Sequence, residues 1–181
     1  MIKLSTFLAL MIALVLSACG EDEPGMQDGS ANASTGLSLD RAFAAEMIPH
    51  HESAVEMARI AQERGQSDFV RKLAGNIIAT QSAEIEVLKK AEQRLAEQGV
   101  EAGSLGMMEH ESGMSGDVES LRSAEPFDRA FMEMMIEHHQ AAVEMAKVEV
   151  ADGSDPELQA LAEDIIVAQG QEISAMRDQL G

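Results

Sequence analysis

The chain has 181 residues, enough for one domain of the usual size together with an N-terminal leader and a linker. Its net charge of −19 argues against nucleic acid as a partner, because phosphate binding needs a basic surface. Aromatic residues make up only 3% of the chain, with no Trp or Tyr, so strands are disfavoured and the predicted fold class is all-α.

The first 18 residues have the layout of a signal peptide. A basic start at Lys3 precedes an apolar stretch over residues 4–16, which is too short to span a membrane, and small residues precede Cys19. Residues 16–19, Leu-Ser-Ala-Cys, resemble the bacterial lipobox, whose cysteine becomes the lipidated first residue of the mature protein. We therefore expect an exported lipoprotein, anchored to a membrane through Cys19, in the periplasm or at the cell surface. The alternative is an ordinary soluble secreted protein.

Cys19 is also the sole cysteine of the chain. Once it is acylated, no thiol remains for a disulfide or for metal ligation, so any metal must be held by His, Met, Glu, Asp or Gln. Residues 19–37 are rich in Gly, Ser, Asp, Glu and Asn and lack apolar periodicity, which predicts a flexible tether between the lipid and the folded domain.

The rest of the chain is a duplication with a constant offset of 88 residues. Residues 40–43 (DRAF) match residues 128–131, and residues 54–58 (AVEMA) match residues 142–146. The predicted domain at 38–181 accordingly divides into repeat one at 38–98, a link at 99–125 and repeat two at 126–181.

Each repeat is predicted to form two helices. In repeat one, a helix follows the N-cap Ser38 and stops at Gly65, and a second helix covers about residues 68–98. In repeat two, Pro126 opens one helix and Pro156 opens the last. Because no amphipathic helix can bury its apolar stripe alone, the two hairpins are predicted to pack face to face as an antiparallel four-helix bundle.

Two histidine pairs, His50-His51 and His138-His139, occupy equivalent positions in the repeats. On a helical wheel, His50 and His51 fall on either side of the apolar stripe, so both face the core or its borders and can reach different neighbouring helices. A methionine precedes each pair by three residues, on the same face. Pro49 has no proline counterpart in repeat two, so the two sites are not predicted to be identical.

A glutamine and a glutamate lie inside the apolar stripe of the second helix of each repeat. They are Gln81 and Glu84 in repeat one and Gln169 and Glu172 in repeat two. A buried carboxylate without a partner would cost several kcal/mol, so something must compensate each glutamate. We expect each histidine pair to face the Gln-x-x-Glu of its own repeat.

Three interpretations of this cluster remain open. It can hold a metal ion, it can consist of structural His–Glu hydrogen bonds, or it can serve an organic ligand or an acid–base pair. A carboxylate-bridged di-iron site is disfavoured, because the Glu-x-x-His spacing of such bundles is missing at both pairs. Imidazole combined with thioether suits copper, which methionine favours in its cuprous state.

The candidate ligands follow from this chemistry. The first-choice set is His50, His51, His138, His139, Glu84, Glu172, Met47 and Met135. The secondary or supporting set is Gln81, Gln169, Met57, Met145, Met176, Met107, Met108, His110 and Met114. The last four lie in the Gly/Ser-rich link, where no core demands methionine. Any single methionine of the helices can also be core packing.

Several motifs of the chain together resemble the bacterial DUF305 family of exported helical proteins. The matching segments are residues 47–51 (MIPHH), 81–85 (QSAEI), 127–131 (FDRAF), 135–139 (MIEHH) and 169–176 (QGQEISAM). The resemblance extends over about residues 39–180. It implies a ferritin-like four-helix bundle and, as for some members, copper binding. A tryptophan that often follows the Gln-x-x-Glu helix in relatives is missing here, where Arg94-Leu95 stands instead.

These observations predict an extracytoplasmic, lipid-anchored protein that sequesters copper or passes it on, without turnover. One alternative is a structural or partner-binding helical module that carries no metal. A second alternative is a ferritin-like metal oxidase.

Overall fold

A computed structural model of the chain describes residues 28–107 and 118–181, with side chains from residue 34 onward. The described residues form helices and no strand, which confirms the all-α class. The helices are α1 (Asp28–Arg64), α2 (Asp68–Glu97), α3 (Val118–Leu121), α4 (Phe127–Asp152) and α5 (Pro156–Leu180). Within the described ranges, none of these helices has the length and apolar character needed to cross a membrane.

The four predicted helices are present as α1, α2, α4 and α5, with local signals at their starts. Ser67 caps α2 by accepting a hydrogen bond from the backbone N–H of Val70, and Asp155 caps α5 by accepting from the N–H groups of Glu157 and Leu158. Pro156 occupies the first turn of α5, where the missing N–H costs nothing.

The first helix begins at Asp28, about ten residues before the predicted start at Ser38. Residues 28–37, which the sequence assigned to a flexible tether, are therefore helical. Gly and Ser each cost a helix at most about 1 kcal/mol relative to Ala, and tertiary contacts offset that cost. Leu37 packs against the core, and Gly36 is so close to the turn before α5 that an added β-carbon would lie 1.8 Å from Ser154 Oγ.

The link contains a short helix, α3, that the sequence did not predict. Leu121 of α3 is fully buried, and the Arg64 guanidinium at the end of α1 donates to its carbonyl at 3.1 Å. At the other end of the link, the backbone N–H of Gly103 donates to the carbonyl of Ser38 at 2.8 Å. The described parts of the link are thus fastened to α1 at both ends.

The helices pack in pairs. Helix α1 lies along α2 and α4 lies along α5, while the two pairs meet mainly through α1 and α4. Helices α2 and α5 barely touch each other.

The core consists of two apolar clusters, each built from both repeats. The first cluster includes Met57, Ile60, Leu73, Ile77, Phe127, Phe131, Met135 and Met176. The second cluster includes Phe43, Met47, Leu88, Leu95, Met145, Leu158 and Ile165. Along both α1 and α4, the histidine pairs fall between the residues of one cluster and those of the other, so the site lies in the middle of the core.

An aspartate at the start of each repeat binds the turn between the helices of the other repeat. The carboxylate of Asp128 accepts hydrogen bonds from the backbone N–H groups of Gln66 and Ser67, both at 2.8 Å. Asp40, its counterpart in repeat one, accepts from the N–H of Ser154, also at 2.8 Å. These reciprocal contacts tie the two helix pairs together.

A buried carboxyl group, Glu149, lies beside Asp40 at this end of the domain, and both residues are 0% exposed. Burial, followed by the adjacent Asp40 carboxylate and then the charge of Asp155, raises the pKa of Glu149 to about 9. Glu149 is therefore protonated at neutral pH, beside the Asp40 carboxylate. The equivalent position in repeat one is Ala61, so this acid pair occurs at one end only.

The protonated pair predicts a pH dependence of stability that Glu149→Gln removes. The folded-state pKa of about 9 lies above the ordinary value of 4.5, so the folded protein holds a proton that the unfolded chain releases. The contribution of Glu149 to the unfolding free energy of the wild type should therefore fall as pH rises from 4.5 towards 9, by up to about 1.4 kcal/mol per pH unit. Urea unfolding at pH 6 and pH 9 measures this fall, which should shrink in Glu149→Gln.

The control is Glu137→Gln, an exposed position on the same helix, which should keep the wild-type pH dependence. An unchanged fall in Glu149→Gln would contradict the protonated pair.

Candidate metal centre

The four paired histidines form a row across the middle of the domain. The ring centroids of His50 and His51 are 6.3 Å apart, those of His50 and His138 are 3.7 Å apart, and those of His138 and His139 are 6.4 Å apart. All four side chains are buried, with at most 3% of each residue exposed. The central contact joins α1 to α4 and therefore joins one repeat to the other.

A glutamate stands at each end of the row. His51 Nε2 lies 2.9 Å from Glu84 Oε2, and His139 Nε2 lies 2.7 Å from Glu172 Oε2. The second contact is aligned as a hydrogen bond, whereas the first is close but lacks that alignment. The glutamate side chains are 19% and 21% exposed, so each end of the row reaches the surface.

The expectation that each histidine pair faces the Gln-x-x-Glu of its own repeat holds for one member of each pair. His51 and His139 contact these glutamates, but His50 and His138 contact each other across the repeats. The helical wheel carried a signal for this division, because it placed His50 and His51 on opposite sides of the apolar stripe. The identity of the partner helix depended on how the two helix pairs pack.

The two central imidazoles are neutral at physiological pH. Burial, followed by the charges of His51 and His139, lowers the pKa of His50 to about 3 from the ordinary value of 6.5. Burial and the charges of the other three histidines likewise hold the pKa of His138 well below its ordinary value. A neutral imidazole keeps a lone pair on one nitrogen, which is the form that binds metal.

The ring nitrogens of these two histidines have no hydrogen-bond partner among the described residues. The same is true of Nδ1 in His51 and His139. An unpaired buried polar group costs about 1–3 kcal/mol, so such a cluster is expensive unless a ligand uses it. The donor chemistry of the row therefore fits a metal ion that prefers imidazole.

The spacing of the central rings limits how an ion can be held. A metal–nitrogen bond is about 2 Å long, so two rings that share an ion have centroids roughly 5–6 Å apart. At 3.7 Å, His50 and His138 are in direct contact, and a shared ion would require one ring to rotate. Among the described residues, no three His, Cys, Asp or Glu side chains are spaced to hold one ion. The expected ligands are thus gathered but do not form a closed site of these residue types.

The predicted methionine ligands divide between the two sides of the row. Met135, Met57 and Met176 belong to the first apolar cluster, and Met47 and Met145 belong to the second. All five are almost fully buried. Because residues three and four apart share a helix face, Met47 and Met135 lie next to the histidine pairs that follow them.

Other predicted ligands have different surroundings. Gln81 and Gln169 are buried one helical turn before Glu84 and Glu172, and Gln169 has no side-chain hydrogen bond among the described residues. Met107 is half-buried and packs against the second cluster. The remaining predicted ligands of the link, which are Met108, His110 and Met114, lie outside the described residues.

Fold and site together define an all-α protein with a buried row of histidines that ends in a carboxylate on each side. The chain belongs to the family described as "Domain of unknown function (DUF305)", whose model matches residues 40–180.

Solved structures of similar proteins include metal complexes. CopM in the Cu(II)-bound form is 35% identical, with a TM-score of 0.68 over 77% of this chain and 94% of that chain. CopM is also known in Cu(I)-bound and Ag-bound forms, each with a TM-score of 0.66 at the same identity.

Two further solved structures belong to the DUF305 family. A DUF305 fragment from Deinococcus radiodurans is 32% identical, with a TM-score of 0.64 over 79% of this chain and 95% of that chain. A DUF305 protein from Streptomyces coelicolor, named as secreted, is 26% identical, with a TM-score of 0.65 over 83% of this chain and 93% of that chain. No protein of curated function matches the chain.

The central histidines should fail to titrate near neutral pH in the metal-free protein. The folded-state pKa of His50 lies below its ordinary value, so the ring stays neutral and its contribution to the unfolding free energy should decline as pH falls below about 6.5. NMR shifts of the His50 and His138 ring protons, assigned with His50→Asn, should stay constant from pH 8 to pH 5.

The same resonances in urea-unfolded protein provide the reference, with a midpoint near the ordinary pKa of about 6.5. A midpoint near 6.5 in the folded protein would contradict the neutral pair.

Proposed function

We propose that this protein is an extracytoplasmic, lipid-anchored metal-binding protein that sequesters copper or passes it on. The observation that carries the proposal is the buried row of histidines, in which two neutral imidazoles have nitrogens without a hydrogen-bond partner in the part of the chain that the structure describes. The ion is cargo, so no catalytic step is required of the protein.

Copper fits the donor set better than other common metals. The row offers imidazole nitrogens with buried methionines on both sides, and thioether combined with imidazole favours cuprous copper. CopM, at 35% identity, has Cu(I), Cu(II) and Ag bound forms, and Ag(I) and Cu(I) are soft monovalent ions of the same preference. The acidic chain, with a net charge of −19, also attracts cations.

We assign the ligands as two sets related by the repeat. One set is His50, His51 and Met47, with Glu84 in support, and the other is His138, His139 and Met135, with Glu172 in support. The central rings are too close to share an ion in the metal-free arrangement, which favours two sites over a single bridged one. Gln81, Gln169, Met57, Met145 and Met176 are the supporting positions.

The architecture that we propose for this function is a ferritin-like antiparallel four-helix bundle made of two repeated hairpins. It is supported by the pairing of α1 with α2 and of α4 with α5, and by the reciprocal contacts of Asp40 and Asp128 with the opposite turns. Such a bundle binds metals through inward-facing side chains of neighbouring helices.

The export and anchoring in this proposal rest on the sequence. The signal peptide at residues 1–18 and the lipidation site Cys19 lie outside the described residues. The lipobox-like residues 16–19 support them, and so does the relative from Streptomyces coelicolor that is named as secreted. The partners that we propose are therefore a membrane, through lipidated Cys19, and the metal ion.

A second candidate function is a structural or partner-binding module without metal. The His51–Glu84 and His139–Glu172 contacts favour it, because buried His–Glu pairs can hold helix register by themselves. In that case His51→Ala would lower the melting temperature equally with and without copper, and the purified protein would carry no metal.

A competition titration tests the copper proposal. The purified full chain should take cuprous ion from a competing chelator, and replacing all four paired histidines with Ala should weaken binding far more than tenfold. This estimate is cautious, because the loss of outer-shell partners alone costs about 10–100-fold in affinity. Circular dichroism checks that the variant remains helical.

Two further variants keep the test sound if the fourfold variant does not fold. His50→Gln and His138→Gln should each weaken binding, while Gln140→Ala, an exposed neighbour of the second pair, should not. Unchanged affinity in all histidine variants would overturn the core site.

A further inference from the structure

A cleft separates the two helices that barely touch. It is an open groove between α2 and α5, with a volume of about 530 Å³ and mainly apolar walls. The residues that matter here are Phe69, Lys72, Ala79, Ala168 and Glu172.

Glu172 connects this cleft to the histidine row. Its side chain is 21% exposed, and its Oε2 lies 2.7 Å from Nε2 of His139, whose side chain is completely buried. From there the row continues through the rings of His138 and His50. A carboxylate between apolar walls is thus the last group at the surface before the buried imidazoles.

We propose that the α2–α5 cleft is the entrance through which a soft monovalent metal ion reaches the histidine row, with Glu172 as the first group it meets. This inference rests on the proposed function, because it names the route to the same site. An ion cannot reach the histidines directly, since at most 3% of each residue is exposed.

Electrostatics favour a carboxylate at such an entrance. Low-dielectric walls focus the field of a charge, and a focused negative charge raises the local concentration of cations. Exposure alone does not distinguish the two ends of the row, because the side chains of Glu84 and Glu172 are 19% and 21% exposed. The cleft does distinguish them, because Glu172 lines it and Glu84 does not.

The hydrogen bond between His139 and Glu172 also determines which ring nitrogen of His139 is free to bind a metal ion. In the neutral tautomer of His139 that donates Nε2–H to Glu172, the lone pair of the ring is on Nδ1, which is buried and has no partner among the described residues. A carboxylate that fixes the tautomer of a metal-binding histidine in this way is a common arrangement. An ion attracted by Glu172 would then be taken up by Nδ1 of His139.

Blocking the cleft tests the route. Ala168→Phe fills it, whereas Val167→Phe places the same bulk on the neighbouring residue, which is 58% exposed and does not line the cleft. In stopped-flow mixing of the full chain with Ag(I), Ala168→Phe should slow association by about tenfold or more, because binding must then wait for the structure to open. Dissociation should slow equally, so the equilibrium affinity should stay at the wild-type value, and Val167→Phe should match the wild type.

A change of charge in the wall of the cleft gives an independent test of the entry route. Lys72 lines the cleft, and its positive charge opposes the approach of a cation. Lys72→Glu should speed association by about two- to tenfold at low ionic strength, with the gain lost in high salt. The control is Lys90→Glu, the same change at an exposed position of the same helix that does not line the cleft.

The outcomes separate the two proposals. If the wild type binds no Ag(I) or Cu(I), the proposed function fails. If the wild type binds and a folded Ala168→Phe binds at the same rate, the entrance is elsewhere and this inference fails. Should Ala168→Phe not fold, Ala79→Phe fills the cleft from the opposite wall and takes its place.

Discussion

The contact between His50 and His138 is the interaction on which the rest of the structure depends. It lies where α1 meets α4, and α1 and α4 form the main interface between the two helix pairs. Burial keeps both rings neutral, because a charged imidazole in this core would lose its hydration without gaining a partner. The centre of the protein therefore holds polar nitrogens that are not ionised and have no hydrogen-bond partner among the described residues, which is a costly state for a structure that only needs stability.

The surrounding structure shields the histidine row from solvent and fixes the two helix pairs relative to each other. An apolar cluster lies on each side of the row, and each cluster draws residues from both repeats. The aspartates that bind the opposite turns add a second link between the helix pairs. Of the groups in the row, only the outer glutamates reach the surface, and one of them, Glu172, lines the α2–α5 cleft. In the function that we propose, this arrangement holds a soft ion away from water and leaves the approach to the site open.

The helices and the candidate ligands were predictable to different degrees. Apolar periodicity, together with Pro126 and Pro156 at helix starts, predicted α2, α4 and α5, because those signals act within one or two helical turns. The early start of α1 and the short helix α3 were missed, because contacts at Gly36 and Leu121 with distant parts of the chain stabilise them. Glu149 was missed as well, although an acid where the other repeat has Ala61 is a visible signal.

The sequence by itself determined the all-α class, the duplication, and which side chains face inward, because helical periodicity relates position to face without reference to any partner. It also identified the glutamates that meet the outer histidines. Only the tertiary structure decided that His50 meets His138 at 3.7 Å instead of a glutamate. It also decided that α2 and α5 stand apart around a cleft. The reason is physical. A helical wheel gives only the direction in which a side chain leaves its own helix. The packing of whole helix pairs decides which group that side chain contacts and at what distance.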